Sequence, residues 1–204
     1  MEDVLDLYAE AYDPKRPVVC FDELPYQFLN EVNAPLPIKP GKPKRQDYEY
    51  QRKGHCSLFI AFEPLAGQRH VSVSERRTAQ DFAKEIQQLV ARYPDADTIR
   101  VVLDNLNTHT PAALYQTFAP EEARRLTHKL EFHYTPKHGS WLNMAEIEWS
   151  VLSRQALSGR LADIFTVAAR VNPWQSKRNQ IRATVNWCFS TAHARTKLAR
   201  LYPN

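Results

Sequence analysis

The chain has 204 residues, 43% of them hydrophobic and 25% charged, values that suit one soluble domain with a sizeable core and an appendage. Cys20, Cys56 and Cys188 are far apart and form no CxxC pair, which argues against a zinc site and against a disulfide framework. The opening Met1-Glu2-Asp3-Val4 is acidic where a secretory leader is basic, and no apolar run approaches the roughly 20 residues that span a bilayer, so a cytoplasmic protein without a membrane partner is expected.

The net charge of +4 is unevenly spread. Residues 151–204 hold nine Lys and Arg against the single acid Asp163, a net of +8, which leaves about −4 for the rest. An acidic body with a basic tail suits a protein that gathers metal cations in one place and holds a polyanion in another. A merely solvated helical surface accounts for the asymmetry equally well.

In chain order, residues 2–12 read as a short amphipathic helix with Val4, Leu5 and Tyr8 on one side, stopped by Asp13-Pro14. Val18-Val19-Cys20-Phe21 reads as a buried strand. A proline-rich stretch at 35–43 and a basic, aromatic run at 42–53 follow, so 33–53 is read as an excursion from the core that a partner would order. Strands at 57–62 and 70–73 are joined by a turn through Pro64 and Gly67. Thr78 caps a helix carrying Phe82, Ile86, Leu89 and Val90 at helical spacing, and Tyr93-Pro94 ends it. The segment 98–103 is the next strand, helices start near Pro111 and Pro120, and 130–134 is a fifth strand. A helix over 142–157 and a basic helical tail over 161–204, docked by Trp174, Trp187 and Phe189, complete the chain. Three early strands followed by strand–helix alternation predict an α/β fold, a mixed five-stranded sheet flanked by helices. The division expected is a catalytic unit over 1–160 and a C-terminal extension over 161–204 packed on it.

Two acids stand at the predicted strand ends, Asp22 after VVCF and Asp104 after IRVVL. Open sheets place ligands there, and two rigid carboxylates on neighbouring strands favour a hard divalent metal, Mg²⁺ or Mn²⁺. A third acid from the 142–157 helix would complete a site for phosphodiester chemistry. That helix offers Glu146 and Glu148 on opposite flanks of its apolar stripe, and periodicity does not choose between them.

The segments VVCFDE (18–23), VVLDNLNTH (101–109) and YTPKHGSWLNMAEIEW (134–149) resemble the signature blocks of DDE transposases of the mariner superfamily, most of all its bacterial insertion-sequence branch. The likeness implies a ribonuclease H-like fold and makes Asp22, Asp104 and Glu146 the metal-binding catalytic triad. Leu142, Asn143, Glu146 and Trp149 match the family's Leu-Asn-x-x-Glu-x-x-Trp block, which leaves Glu148 a bystander. The 41 residues between Asp104 and Glu146 exceed the family's spacing, with the extra length placed around 118–128.

Beyond the triad, Asn105 and His109 are candidates for supporting a carboxylate or positioning phosphate, with helix capping the bland alternative. His138, Ser140 and Trp141 are candidates for touching the DNA end. Lys42, Lys44, Arg45, Arg52 and Lys53, interleaved with Tyr48 and Tyr50, and Lys177, Arg178 and Arg182 in the tail are candidate DNA contacts.

The function implied is cleavage and strand transfer of an insertion sequence with two Mg²⁺ ions, Mn²⁺ substituting. Double-stranded DNA is then the partner, with a TA target, a homodimer on the DNA and a nucleoid-associated bacterial protein. The rival readings are a catalytically silent DNA-binding descendant and a stand-alone nuclease of the same fold. Only about 20 residues precede Asp22, so a helix-turn-helix reader is expected to be encoded upstream, in a separate frame or in a longer form of the chain.

Overall fold

A computed structural model describes residues 1–202. Five strands form one mixed sheet: β1 (Val18–Glu31), β2 (Tyr50–Glu63), β3 (Gln68–Ser74), β4 (Ile99–Leu103) and β5 (Leu130–Tyr134), in the spatial order β3-β2-β1-β4-β5. The β1–β2 and β2–β3 pairs are antiparallel, while β1–β4 and β4–β5 are parallel. Among the described residues there are seven α-helices: α1 (Glu2–Ala9), α2 (Ala79–Arg92), α3 (Pro111–Thr117), α4 (Pro120–His128), α5 (Ala145–Gln155), α6 (Ile164–Gln180) and α7 (Thr191–Lys197). No helix among the described residues is long and apolar enough to cross a membrane.

The period-2 geometry of strands divides the core into two layers. In β1, Val18 and Cys20 face a layer built with α1, α5 and α6, whereas Val19 and Phe21 face one built with α2, α3 and α4. The same alternation in β4 sends Val102 to the first layer and Ile99, Val101 and Leu103 to the second. Both faces are therefore buried, and β4 is apolar at every position but Arg100, which is itself buried and paired with Glu10. The α2 cap is as expected: Thr78 Oγ1 accepts from the Asp81 backbone N–H, and the Asp81 carboxylate accepts from the Thr78 backbone N–H at 2.8 Å.

Two strands are much longer than expected. β1 runs on to Glu31 and β2 begins at Tyr50, so together they form a two-stranded arm beyond the sheet. The parallel β1–β4 ladder ends at Cys20–Val102, so the rest of β1 pairs only with β2 and tolerates Pro25 as an edge strand does. The expected excursion at 33–53 is instead a hairpin: Leu36 bridges Arg45, Lys39 bridges Lys42, and 50–53 lie in β2. Arg160 fastens its base, pairing with Glu31 and donating to the carbonyls of Asp47 at 2.6 Å and Glu49 at 2.7 Å.

The chain beyond 160 supplies core. Val167, Val171 and Trp174 of α6 and Ala194 of α7 belong to the same buried cluster as β1 and β2. α6 also covers the outer edge of β3, with Asn179 bonded to the backbone N–H and carbonyl of Arg69 and Gln175 accepting from the Val71 N–H at 2.8 Å. Those bonds occupy the first half of the edge at which a stray strand could pair. The tail is not continuous helix: residues 183–189 run extended across the surface, with the Val185 N–H bonded to the Pro64 carbonyl and Trp187 edge-on to Tyr8. Gly67, at φ +64°, lies against the Arg182 backbone so closely that a Cβ would come within 2.5 Å of it.

Candidate active site

Strand parity explains where the acids point. Asp22 continues the Val18–Cys20 face of β1 and Asp104 the Val102 face of β4, so both lie on the side of the sheet that α5 covers. Asp22 is not at a strand end, since β1 runs on past it. It lies where the parallel half of the sheet stops, two residues beyond the last β1–β4 pair, and Asp104 lies two residues beyond that pair on the other strand. The carboxylates thus open onto a gap in the ladder.

The start of α5 is bolted to this spot. Asn143 Nδ2 donates to the Phe21 carbonyl at 2.8 Å, and the Asn143 side-chain oxygen accepts from the Ala145 N–H at 3.2 Å. One turn further on, Trp149 Nε1 donates to Asp22 Oδ2 at 2.9 Å. Asn143 and Trp149 are therefore struts, and between them Glu146 is left exposed and facing the aspartates. Thr135, which follows β5 as Asp104 follows β4, donates from its hydroxyl to Asp104 Oδ1 at 2.7 Å.

Electrostatics mark Asp22 and Glu146 as uncompensated. Burial pushes the Asp22 carboxyl up to about 7, and the Glu146 and Asp104 carboxylates push it the same way, against the pull of the Glu23 backbone N–H and the Trp149 indole. Burial, and after it Asp104, also raises Glu146. No salt bridge to Lys, Arg or His reaches Asp22, Asp104 or Glu146 among the described residues. Three hard oxygen donors that repel one another and have no cation of their own fit a divalent metal. They are not drawn into a ready-made shell: no group of three or more His, Cys, Asp or Glu among the described residues is gathered as a metal site.

Glu148, two residues from Glu146, has the opposite environment. It is fully buried, with Arg178 donating to both carboxylate oxygens at 3.0 and 2.6 Å. Arg69 Nε lies 3.0 Å from Glu148 Oε2, an ion pair by distance although its N–H is not aligned for a hydrogen bond. Arg178 also stacks over Trp174. This corrects the expectation that Arg178 is free to meet DNA: its guanidinium is committed to the interior.

The other expected residues separate into groups. Asn105, His138 and Ser140 line a cleft of about 440 Å³ with Asp104, Thr135 and Lys137. Trp141 is 45% exposed and rests edge-on against Phe189. His109 is fully buried on the far face, stacked on Phe82, and reaches the site only through the Asp104 backbone. Lys42, Lys44, Arg45, Arg52, Lys53, Lys177 and Arg182 are exposed, and the first five lie on the β1–β2 arm. Thr135, Lys137 and Glu23 escaped sequence reading. Thr135 had a usable signal, because it closes a strand parallel to the one that Asp104 closes. A second cavity of about 440 Å³, lined by Glu63, Arg92 and Tyr93, lies at the β3 edge among other residues than the three acids.

Against known proteins, a family model described as DDE superfamily endonuclease matches residues 17–166. No curated protein matches the sequence. Among solved structures, the Mos1 mariner paired end complex with Mn superposes with a TM-score of 0.58 at 16% identity, over 88% of this chain and 56% of that one. The Mos1 strand transfer complex gives 0.59 at 14% identity, over 89% and 54%. The pre-cleavage Mos1 transpososome gives 0.57 at 14%, over 88% and 58%. The chain thus spans a little over half the length of the transposase it resembles, and the likeness is one of fold, the ribonuclease H-like sheet. With three quarters of its length inside the family model, the chain belongs to the DDE superfamily endonucleases.

Proposed function

We propose that this chain is the catalytic part of a DNA transposase that cuts and joins DNA strands at the cleft between Asp22, Asp104 and Glu146. The observation that carries the reading is three carboxylates, from β1, just after β4 and the start of α5, that repel one another and that no salt bridge reaches among the described residues, with Asp22 and Glu146 raised. Such an arrangement costs stability, and an acidic cluster of this kind gains its use when a cation arrives. Asp22, Asp104 and Glu146 would hold two Mg²⁺ ions, Mn²⁺ substituting, which when bound activate the attacking oxygen and stabilise the leaving one. The chain's own residues do the positioning. Trp149 orients Asp22, Thr135 orients Asp104, and the Asn143 strut fixes the start of the helix that bears Glu146.

DNA is the substrate in this reading, held by phosphate contacts from the exposed arm lysines and arginines and from Lys177 and Arg182. Two copies paired on DNA ends agree with the paired end and strand transfer assemblies described for Mos1. A TA target, an upstream reader of the element's ends, membership of a bacterial insertion sequence and a cytoplasmic, nucleoid-associated location complete the proposal.

A pre-cleaved duplex carrying a free 3′-hydroxyl, incubated with a plasmid target and Mg²⁺ or Mn²⁺, separates the readings. Joined product is expected, and it disappears with Asp104→Asn. Cutting without joining would mean a nuclease, and neither, with DNA binding intact, a silent binder. For residues 1–204 alone, a preference below about tenfold for terminal-repeat duplex over scrambled duplex is expected, under about 1.4 kcal/mol.

A further inference from the structure

Asp22 and Glu23 are adjacent in β1, so their side chains leave on opposite faces of the sheet. Glu23 enters the layer beneath α2 and α3, where its carboxylate, 5% exposed, lies 3.0 Å from His109 Nε2. The other ring nitrogen, Nδ1, lies 3.1 Å from the Asp104 backbone carbonyl. A carbonyl only accepts, so Nδ1 carries a hydrogen and donates, and the Nε2–Glu23 contact closes through one further proton. The ring is held in plane by stacking on Phe82, with centroids 4.7 Å apart, and by Phe21 edge-on at 6.0 Å. The loop carrying it is closed by the Leu106 N–H to the Asp104 carbonyl and the His109 N–H to the Leu106 carbonyl, both at 2.9 Å, and by Tyr134 donating to the His109 carbonyl.

The place of this chain of bonds gives it a purpose. The β1–β4 ladder ends at Cys20–Val102, so no strand hydrogen bond sets the separation of Asp22 from Asp104. The Glu23–His109–Asp104 bridge spans that gap from behind. We propose that Glu23 and His109 are positioning residues that fix the Asp22–Asp104 spacing for metal binding, acting wholly from the far side of the sheet and touching neither metal nor DNA. The inference rests on the carboxylate site proposed above and adds to it the device that holds it open to the right width. Residues that support metal ligands from behind typically govern metal affinity by about 10–100-fold.

The test measures Mn²⁺ affinity by electron paramagnetic resonance on chelator-stripped protein without DNA, alongside hydrogen exchange at the Leu106 and His109 amides. Glu23→Leu combined with His109→Phe removes both polar partners together and keeps the ring stack, so the fold is expected to survive. Glu23→Ala is the second probe, and Glu23→Gln is the rescue, because its amide can donate to a neutral Nε2. The double variant and Glu23→Ala are expected to bind Mn²⁺ at least tenfold more weakly and to exchange both amides at least tenfold faster. Glu23→Gln should stay within threefold of the parent on both. Mn²⁺ affinity and exchange within twofold of the parent, in either folded variant, would overturn the proposal, as would Glu23→Gln behaving like Glu23→Ala. If parent and Asp104→Asn bind Mn²⁺ alike, the metal-site reading fails instead, and the exchange rates still decide whether the bridge holds the loop.

Discussion

Two glutamates on one helix turn, Glu146 and Glu148, live under opposite rules. Glu148 is buried among Arg69 and Arg178, where every carboxylate oxygen has a cation, while Glu146 stands exposed beside two aspartates with none. The first arrangement anchors α5 to α6 and β3, and its chemistry is finished when the chain folds. The second is left incomplete by folding, as the cation site proposed above requires. Net charge and hydropathy are identical at the two positions. Only the partners differ.

The largest effect is expected from neutralising the incomplete site. Asp22→Asn, Asp104→Asn and Glu146→Gln are each expected to lower metal-dependent DNA cleavage by about three orders of magnitude, the size seen when a preorganised charge stabiliser is lost. Thermal unfolding should show all three folded, and DNA affinity in chelator should hold or rise because a repulsion toward phosphate is gone.

Next in size is the complete site. Glu148→Gln strands Arg69, whose guanidinium is already pushed down by burial ahead of the opposing pull of Glu148, and should cost about 3–5 kcal/mol. Unfolding curves would register a fall on the order of 10 °C. A shift of under 2 °C would mean that the buried pair contributes nothing to the fold.

A smaller effect sharpens the contrast by its sign. The Asp22 carboxyl titrates at about 7 in the folded chain against an ordinary 3.8, so the folded state holds its proton longer. Between about pH 4 and 7 the folded state therefore binds more protons than the unfolded one, and stability falls as pH rises through that window. Asp22→Asn escapes this penalty. In chelator it should be more stable than the parent by on the order of 1–3 kcal/mol at pH 8, with the gain fading toward pH 4. Denaturant titrations at the two pH values give the answer, and equal stability at pH 8 would mean that the carboxylate is not desolvated.

The smallest effect concerns the surface. Replacing Lys42, Lys44 and Arg45 on the arm with Ala should flatten the slope of log affinity for duplex against log salt by up to about three, without changing the unfolding midpoint. Arg178→Ala, despite lying in the basic tail, should do the reverse and lower the midpoint.

What was readable in the sequence follows the same division. The apolar run that opens β1 and the run of β4, broken only by Arg100, state their burial openly, and Asp22 and Asp104 inherit their faces from them. The extension of β1 and β2 into an arm was not legible, because a two-stranded ribbon open to solvent needs no period-2 pattern and Pro25 reads as a break. Glu148 could not be told from Glu146 because its partners come from β3 and α6, contacts that no local pattern encodes. Arg178 differs from expectation for the same reason, since composition counts a half-buried, paired cation as free surface charge. Trp174, Trp187 and Phe189 did mark the docking of the tail, because large aromatics in a basic segment have to be buried against something.

A single cleavage assay decides whether the unpaired acid of α5 does the chemistry and the paired one does not. Glu146→Gln and Glu148→Gln are compared on the same duplex with Mn²⁺, below the unfolding midpoint of both and normalised to folded protein. Background cleavage is expected from Glu146→Gln at the parent's stability, and cleavage within about tenfold of the parent from Glu148→Gln at reduced stability. Cleavage retained by Glu146→Gln and abolished in folded Glu148→Gln would contradict that expectation.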